Sequence, residues 1–91
     1  MGKADYQLDG YEIFWYSNDH APAHFNVQKK GHWGIKVYFE LSNQYKLSYV
    51  ISWQNKSIGP TSKELKLLRE YVQAHKAHLQ HEWEVKVCKQ S

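Results

Sequence analysis

The sequence predicts an α+β domain in which a four-stranded antiparallel meander is covered on one face by a long C-terminal helix. Two observations carry this. Between residues 11 and 53, apolar and polar side chains alternate in short runs broken by turn residues, which is the period of half-buried strands. After Pro60 the period lengthens, and Leu65, Leu68, Val72, Leu79 and Trp83 recur at helical spacing. A length of 91 residues suits one domain with one core.

Residues 11–16 are Tyr-Glu-Ile-Phe-Trp-Tyr, β-branched and aromatic, and read as a strand ending at Ser17-Asn18-Asp19. Residues 24–30 form a second strand that turns at Lys30-Gly31-His32. Residues 33–41 form a third, in which Ile35, Val37, Phe39 and Leu41 alternate with Lys36, Tyr38 and Glu40. The fourth, residues 45–53, sets Tyr45, Leu47, Tyr49, Ile51 and Trp53 on one side. Short turns between such strands favour antiparallel pairing. A polar loop from Gln54 leads through Gly59-Pro60 to Thr61-Ser62-Lys63-Glu64, which has the form of a capping box. An unbroken helix over residues 62–85 follows, its five apolar positions lying in a stripe about 60° wide. Lys66, Gln73, Ala77, Gln80 and Glu84 lie opposite and meet water.

One helix covers only one face of a sheet. If Ile13, Trp15, Phe25, Val27, Ile35 and Trp53 turn toward it, the other face displays Phe14, Tyr16, His24, Asn26, Tyr38 and Val50 without a second layer. A single bulge would reverse part of this assignment. Monomers seldom leave a large apolar patch in water, so such a face suggests a partner. Leu67, Tyr71, His78 and Val85 widen the apolar arc of the helix. That shoulder either packs on the residue 54–60 loop or the N-terminal segment, or anchors a partner through Tyr71.

Composition narrows the classes further. Four Trp, seven Tyr and three Phe supply the large buried areas that a chain of this size needs. The formal charge is +3, carried by Lys apart from the single Arg69. Readers of nucleic acid lean on arginine forks, so the lysines read first as a solubility surface. Stacking of single strands on Tyr16 and Tyr38 beside Lys29, Lys30 and Lys36 is the minor alternative. A lone cysteine, Cys88, rules out a disulfide within the chain and fits a reducing cytoplasm. With no C-x-x-C context and a place near the chain end, it does not read as a nucleophile. No apolar run reaches the roughly 18 residues of a membrane span, and no secretory or myristoylation signal opens the chain. Dinucleotide and phosphate-loop fingerprints are absent.

The densest chemistry lies in Asn18-Asp19-His20-Ala21-Pro22-Ala23-His24-Phe25. Pro22 fixes its own φ and pushes Ala21 toward extended backbone, so Asp19, His20 and His24 sit on a short, stiff turn. Three readings apply. His20 and His24 are candidate ligands for a divalent transition metal, since imidazole with carboxylate suits zinc, iron or nickel. Asp19, His20 and His24 are candidate catalytic residues, with the carboxylate fixing an imidazole for general acid–base work. The plain reading is a turn in which Asp19 caps amides and the histidines bond locally. On the helix, His75, His78 and His81 cannot all face one point, because positions three apart are turned by about 60°. His75 reads as a half-buried core histidine, and His81 points to solvent.

The run Ile13-Phe14-Trp15-Tyr16-Ser17-Asn18-Asp19-His20-x-Pro22-x-His24-Phe25 resembles the opening of a bacterial family catalogued as domain of unknown function 4160, whose typical members show D-H-x-P-P-H-F-H. Glu70-Tyr71-Val72, His75, Leu79 and Trp83 are similar to its helical ending. The chain departs from the pattern at Ala23, in place of a second proline, and at Asn26, in place of a third histidine. That second departure removes a three-histidine site. The resemblance implies a stand-alone domain or subunit with no established reaction. It also implies a neighbour-encoded protein partner, in gene pairs proposed to be toxin–antitoxin-like.

The expectation is therefore a small cytoplasmic interaction domain that binds a protein partner or itself through Phe14, Tyr16, Tyr38 and Tyr71. The alternative is a metal-dependent or His/Asp-assisted hydrolase, RNA-directed in one version, centred on the proline turn.

Overall fold

The computed structural model describes residues 2–56 and 58–87; Cys88 lies outside them. Five strands form one antiparallel sheet in sequential order: β1 (Gly2–Lys3), β2 (Glu12–Trp15), β3 (Phe25–Lys29), β4 (Trp33–Val37) and β5 (Tyr49–Gln54). A helix, α1 (Ser62–Glu82), packs across one face. The class and the meander are as the alternation of side chains requires, with one strand more than expected. β1 is two residues long, too short for any periodicity, and it exists because Gly2 and Lys3 pair with Trp15 and Phe14.

The third and fourth strands are shorter than the alternation suggests. β4 stops at Val37, and Phe39–Leu41 coil into a 3₁₀ turn that buries Phe39 and leaves Leu41 exposed. Residues 45–48 precede β5 as irregular chain, pinned by Asn43, whose Oδ1 accepts from the Tyr45 and Lys46 amides. The Lys30-Gly31-His32 turn forms as expected, with Gly31 at φ 82° and the His32 amide donating to the Lys29 carbonyl.

The capping box is complete. Thr61 Oγ1 accepts from the Glu64 amide, and Glu64 Oε1 accepts from the Thr61 amide. The helix is not unbroken, however. His75 departs from helical backbone at φ −123°, ψ 15°, and Trp83–Val87 continue as π-type turns. Such breaks occur where side chains intrude on the regular ladder, and here the His75 ring stacks on Tyr6 at 4.4 Å between centroids.

The core lies between the sheet and the helical stripe. Ile13, Trp15, Phe25, Val27, Ile35 and Val37 meet Leu68, Val72, Leu79 and Trp83, all buried. Burying an aliphatic or aromatic side chain contributes about 1.5–3 kcal/mol, so these contacts hold the helix to the sheet. Trp33, at the start of β4, joins the core beside Tyr11.

Trp53 corrects the expected assignment of faces. The register of β4 with β5 shifts between Gly34 and Ile35, so Ile35 pairs with Ile51 while Gly34 pairs with Trp53. The extra residue, Ser52, turns Trp53 onto the uncovered face. Its indole lies directly on Gly34, where any Cβ would collide with it. That close approach is why glycine stands at position 34.

Candidate functional site

Four places carry chemistry or exposed apolar surface: the proline turn, the bare sheet face, the seam between the N-terminal arm and α1, and the start of α1.

At the turn, Asp19 and His24 come together, with His24 Nε2 3.1 Å from Asp19 Oδ2. The carboxylate lies off the direction that a ring N–H needs, so the contact is not a hydrogen bond. His24 Nδ1 donates to the Pro22 carbonyl at 2.9 Å, and Asn26 Nδ2 approaches the same carboxylate at 3.4 Å. The ring is 4 % exposed and packs between Tyr38 and Trp83, at 5.1 and 5.7 Å. His24 was expected on the open face; it is buried instead because Trp83, at the end of α1, closes over it. His20 stays exposed, and among the described residues no hydrogen bond or ion pair involves it. The turn thus gathers Asp19, His24 and Asn26 and leaves His20 outside.

The bare face is built from alternate residues of β2–β5. Phe14 is buried rather than displayed, and Tyr16 meets it edge-on at 5.3 Å. With Asn26, Gly34, Lys36 and Trp53 they line a shallow groove of about 200 Å³. Tyr16, Val50 and Trp53 are 43, 48 and 42 % exposed. Tyr38 is half-buried beside His24 rather than spread on this face. Tyr71 corrects a second expectation, because it is buried and cannot meet a partner. Its hydroxyl donates to the Tyr6 carbonyl at 2.6 Å, so the helical shoulder packs on the N-terminal segment. Burial raises the Tyr71 phenol well above its ordinary value, and the nearby Glu82 and Asp5 carboxylates push the same way.

Sequence reasoning missed the arm–helix seam. Glu82 is 2 % exposed. Its Oε1 accepts from the Asp5 amide, the Trp15 indole N–H and the Lys86 ammonium, at 3.1, 3.0 and 3.0 Å. Lys86 also donates to Asp5 Oδ1 at 3.0 Å and to the Lys3 carbonyl. His78 Nε2 stands 2.8 Å from Asp5 Oδ2 and 3.4 Å from Glu82 Oε2. The His78 and Lys86 hydrogen bonds lower the Asp5 carboxyl below its ordinary value. Burial opposes protonation of Lys86, but the Glu82 and Asp5 carboxylates outweigh it and raise the ammonium. The only local signal was the i, i+4 series His78, Glu82, Lys86 on one helical face. Asp5 lies 73 residues from His78 and could not be placed beside it.

A third polar cluster holds the start of α1. Glu64 Oε2 receives Lys29 at 2.7 Å and the Tyr11 hydroxyl at 3.0 Å, beside an open pocket of about 560 Å³. Burial would raise the Glu64 carboxyl, but Lys29, the Thr61 amide and Tyr11 outweigh it and lower it to about 2. Tyr11 is raised by burial and by Glu64, and Lys29 by its bond to Glu64.

These features define a one-sided α+β domain: a meander roofed by one helix, with a buried Asp–His contact at the proline turn. The chain belongs to the family described as "Domain of unknown function (DUF4160)", whose sequence model matches residues 10–84. No curated protein and no solved structure matches it. Among the described residues, no helix is long and apolar enough to cross a membrane.

Proposed function

We propose that this chain is an interaction domain that works through its bare sheet face and the free edge of β5. The observation behind this reading is the edge strand. Tyr49–Gln54 reads Tyr-Val-Ile-Ser-Trp-Gln, six residues without a charge or a proline, and it ends the sheet. Edge strands normally carry lysine or proline to prevent pairing with other chains. Here Val50, Ile51 and Trp53 are exposed instead. An incoming extended segment would complete the β5 ladder and set alternate side chains in the groove between Tyr16 and Trp53.

The favoured occupant is an acid-bearing segment of another protein. Lys36 stands opposite Val50 in the register, Lys46 flanks the start of β5, and the chain as a whole is cationic. Like charges disfavour a second copy on the same face. A place in a toxin–antitoxin-like gene pair rests on family resemblance alone.

Light scattering across a concentration series, with purified neighbour-encoded protein added, tests the reading. The expected result is a monomer whose partner binding falls at least tenfold in Val50→Lys and in Gly34→Ala, which evicts Trp53 from the sheet. A concentration-dependent dimer abolished by Val50→Lys would assign the face to a second copy. Binding indifferent to both substitutions would overturn the proposal.

The second reading, a hydrolase, draws on the 3.1 Å contact of Asp19 with His24. It requires substrate to reach a ring enclosed by Tyr38 and Trp83, which a Trp83 displacement would have to uncover. RNA cleavage that is abolished by Asp19→Asn in a folded protein would favour it.

A further inference from the structure

We propose that Asp5, His78 and Glu82 form a binding site for one divalent transition-metal ion, with zinc as the ion of first choice. The three residues each present a ligand atom, and these atoms all lie within 4.8 Å of one another. His78 Nε2 is 2.8 Å from Asp5 Oδ2 and 3.4 Å from Glu82 Oε2. Tetrahedral zinc with bonds of about 2.0–2.1 Å holds its ligand atoms about 3.3 Å apart, so small side-chain adjustments close the set. Imidazole with two carboxylate oxygens is a donor set suited to zinc and its first-row neighbours.

A cluster of this kind could be an ion-pair network and nothing more. The distinguishing observation is Glu82 Oε2. It is buried, has no hydrogen-bond partner, and faces the imidazole. A histidine N–H at this position has one proton, and Asp5 Oδ2 takes it at the shorter distance. The second carboxylate oxygen is then left dry and unpaired, which normally costs about 1–3 kcal/mol or more for a charged group. A cation at the centre would satisfy all three atoms together.

The remaining oxygens are already in place for such a role. Lys86 bridges Asp5 Oδ1 and Glu82 Oε1, and the Trp15 indole and Asp5 amide also bond Glu82 Oε1. The ammonium thus occupies the outer oxygens and leaves the inner pair facing His78. Outer hydrogen bonds of this type orient metal-ligating carboxylates. Tyr6 meets the His78 ring edge-on at 4.9 Å and holds its plane. Asp5 is solvent-accessible, which gives the ion an entry path and leaves a coordination position for water. Bound metal would staple the N-terminal arm to α1. This inference is independent of the bare-face reading, which involves none of these residues.

Zinc chloride titrated into the chelator-treated full chain, followed by calorimetry and thermal melting, tests it. The expected result is one ion per chain with micromolar or tighter affinity and a raised Tm. His78→Ala and Asp5→Asn should each weaken binding at least tenfold. Both side chains are partly exposed, so these variants fold. His20→Ala, His24→Ala and His81→Ala should bind as the parent does, and cobalt(II) in place of zinc should give the absorption of a nitrogen–oxygen site. Absence of binding below about 100 μM, or binding that survives His78→Ala and Asp5→Asn, would overturn the proposal. So would binding lost through His20→Ala, His24→Ala or His81→Ala.

Discussion

Among the described residues, two Asp–His contacts have similar length and opposite construction. Asp19 and His24 lie five residues apart on one stiff turn, and their ring is sealed beneath Tyr38 and Trp83. Asp5 and His78 come from opposite ends of the chain and meet at the surface, above the buried Glu82. The first contact owes its persistence to packing, since the imidazole bonds a backbone carbonyl and two aromatic rings enclose it. The second persists through charge, because two carboxylates flank the imidazole and an ammonium bridges their outer oxygens. A conspicuous motif thus became part of the core, and an inconspicuous set of residues became the open, ligand-like cluster. Local density of reactive side chains is a weak guide to accessibility, which the tertiary neighbours decide.

The largest expected effect probes the charge side of this contrast. Glu82→Ala removes the acceptor for Trp15, Asp5 and Lys86 together and should cost about 3 kcal/mol by urea denaturation. A loss under about 1 kcal/mol would mean that the seam contributes little to stability. His24→Ala comes next, at about 2 kcal/mol, from lost packing on Trp83 and a lost bond to Pro22. That loss should be insensitive to salt, whereas the effect of Asp5→Asn should shrink as salt screens it. Equal salt dependence at the two sites would erase the distinction drawn between them.

Acid titration sharpens the comparison with a third cluster. The Glu64 carboxyl is lowered from 4.5 to about 2 in the folded chain. Its contribution is present above pH 4.5 and is lost as pH falls toward 2. With Lys29 partly exposed, that contribution is about 1–2 kcal/mol, and Glu64→Gln should flatten the stability profile across this window. The smallest effect belongs to Asp5, which is also lowered by its partners. Its contribution is held above its ordinary value of 3.8 and lost on acidification below it. Hydrogen exchange at the Ala4 amide, bonded to the Ile13 carbonyl, should quicken there before the β3–β4 amides do.

Much of the architecture was legible. Alternation placed Ile13, Trp15, Phe25, Val27, Ile35 and Val37 on the helix side, and the stripe of Leu68, Val72, Leu79 and Trp83 placed the helix against them. The Thr61–Glu64 capping box marked its start. Three points were not legible, for physical reasons. Trp53 changed faces because one extra residue in β5 shifts the register, and a bulge leaves no periodic trace. The shoulder around Tyr71 leaves anchoring and packing both open on sequence, because the apolar arc of the helix exceeds what one sheet face needs, while the arm that covers it carries few apolar residues. Strand parity displays His24 because it says nothing of Trp83 closing over the rim.

By itself the sequence determined what depends on nearest neighbours along the chain: which segments are strands or helix, where the helix is capped, and which stripe it buries. The sealed imidazole of His24, the indole of Trp53 lying on Gly34, and the assembly of Asp5, His78 and Glu82 were decided only by tertiary structure. The reason is that burial and electrostatic fields arise from whatever packs alongside, and in a 91-residue domain those neighbours come from distant parts of the chain.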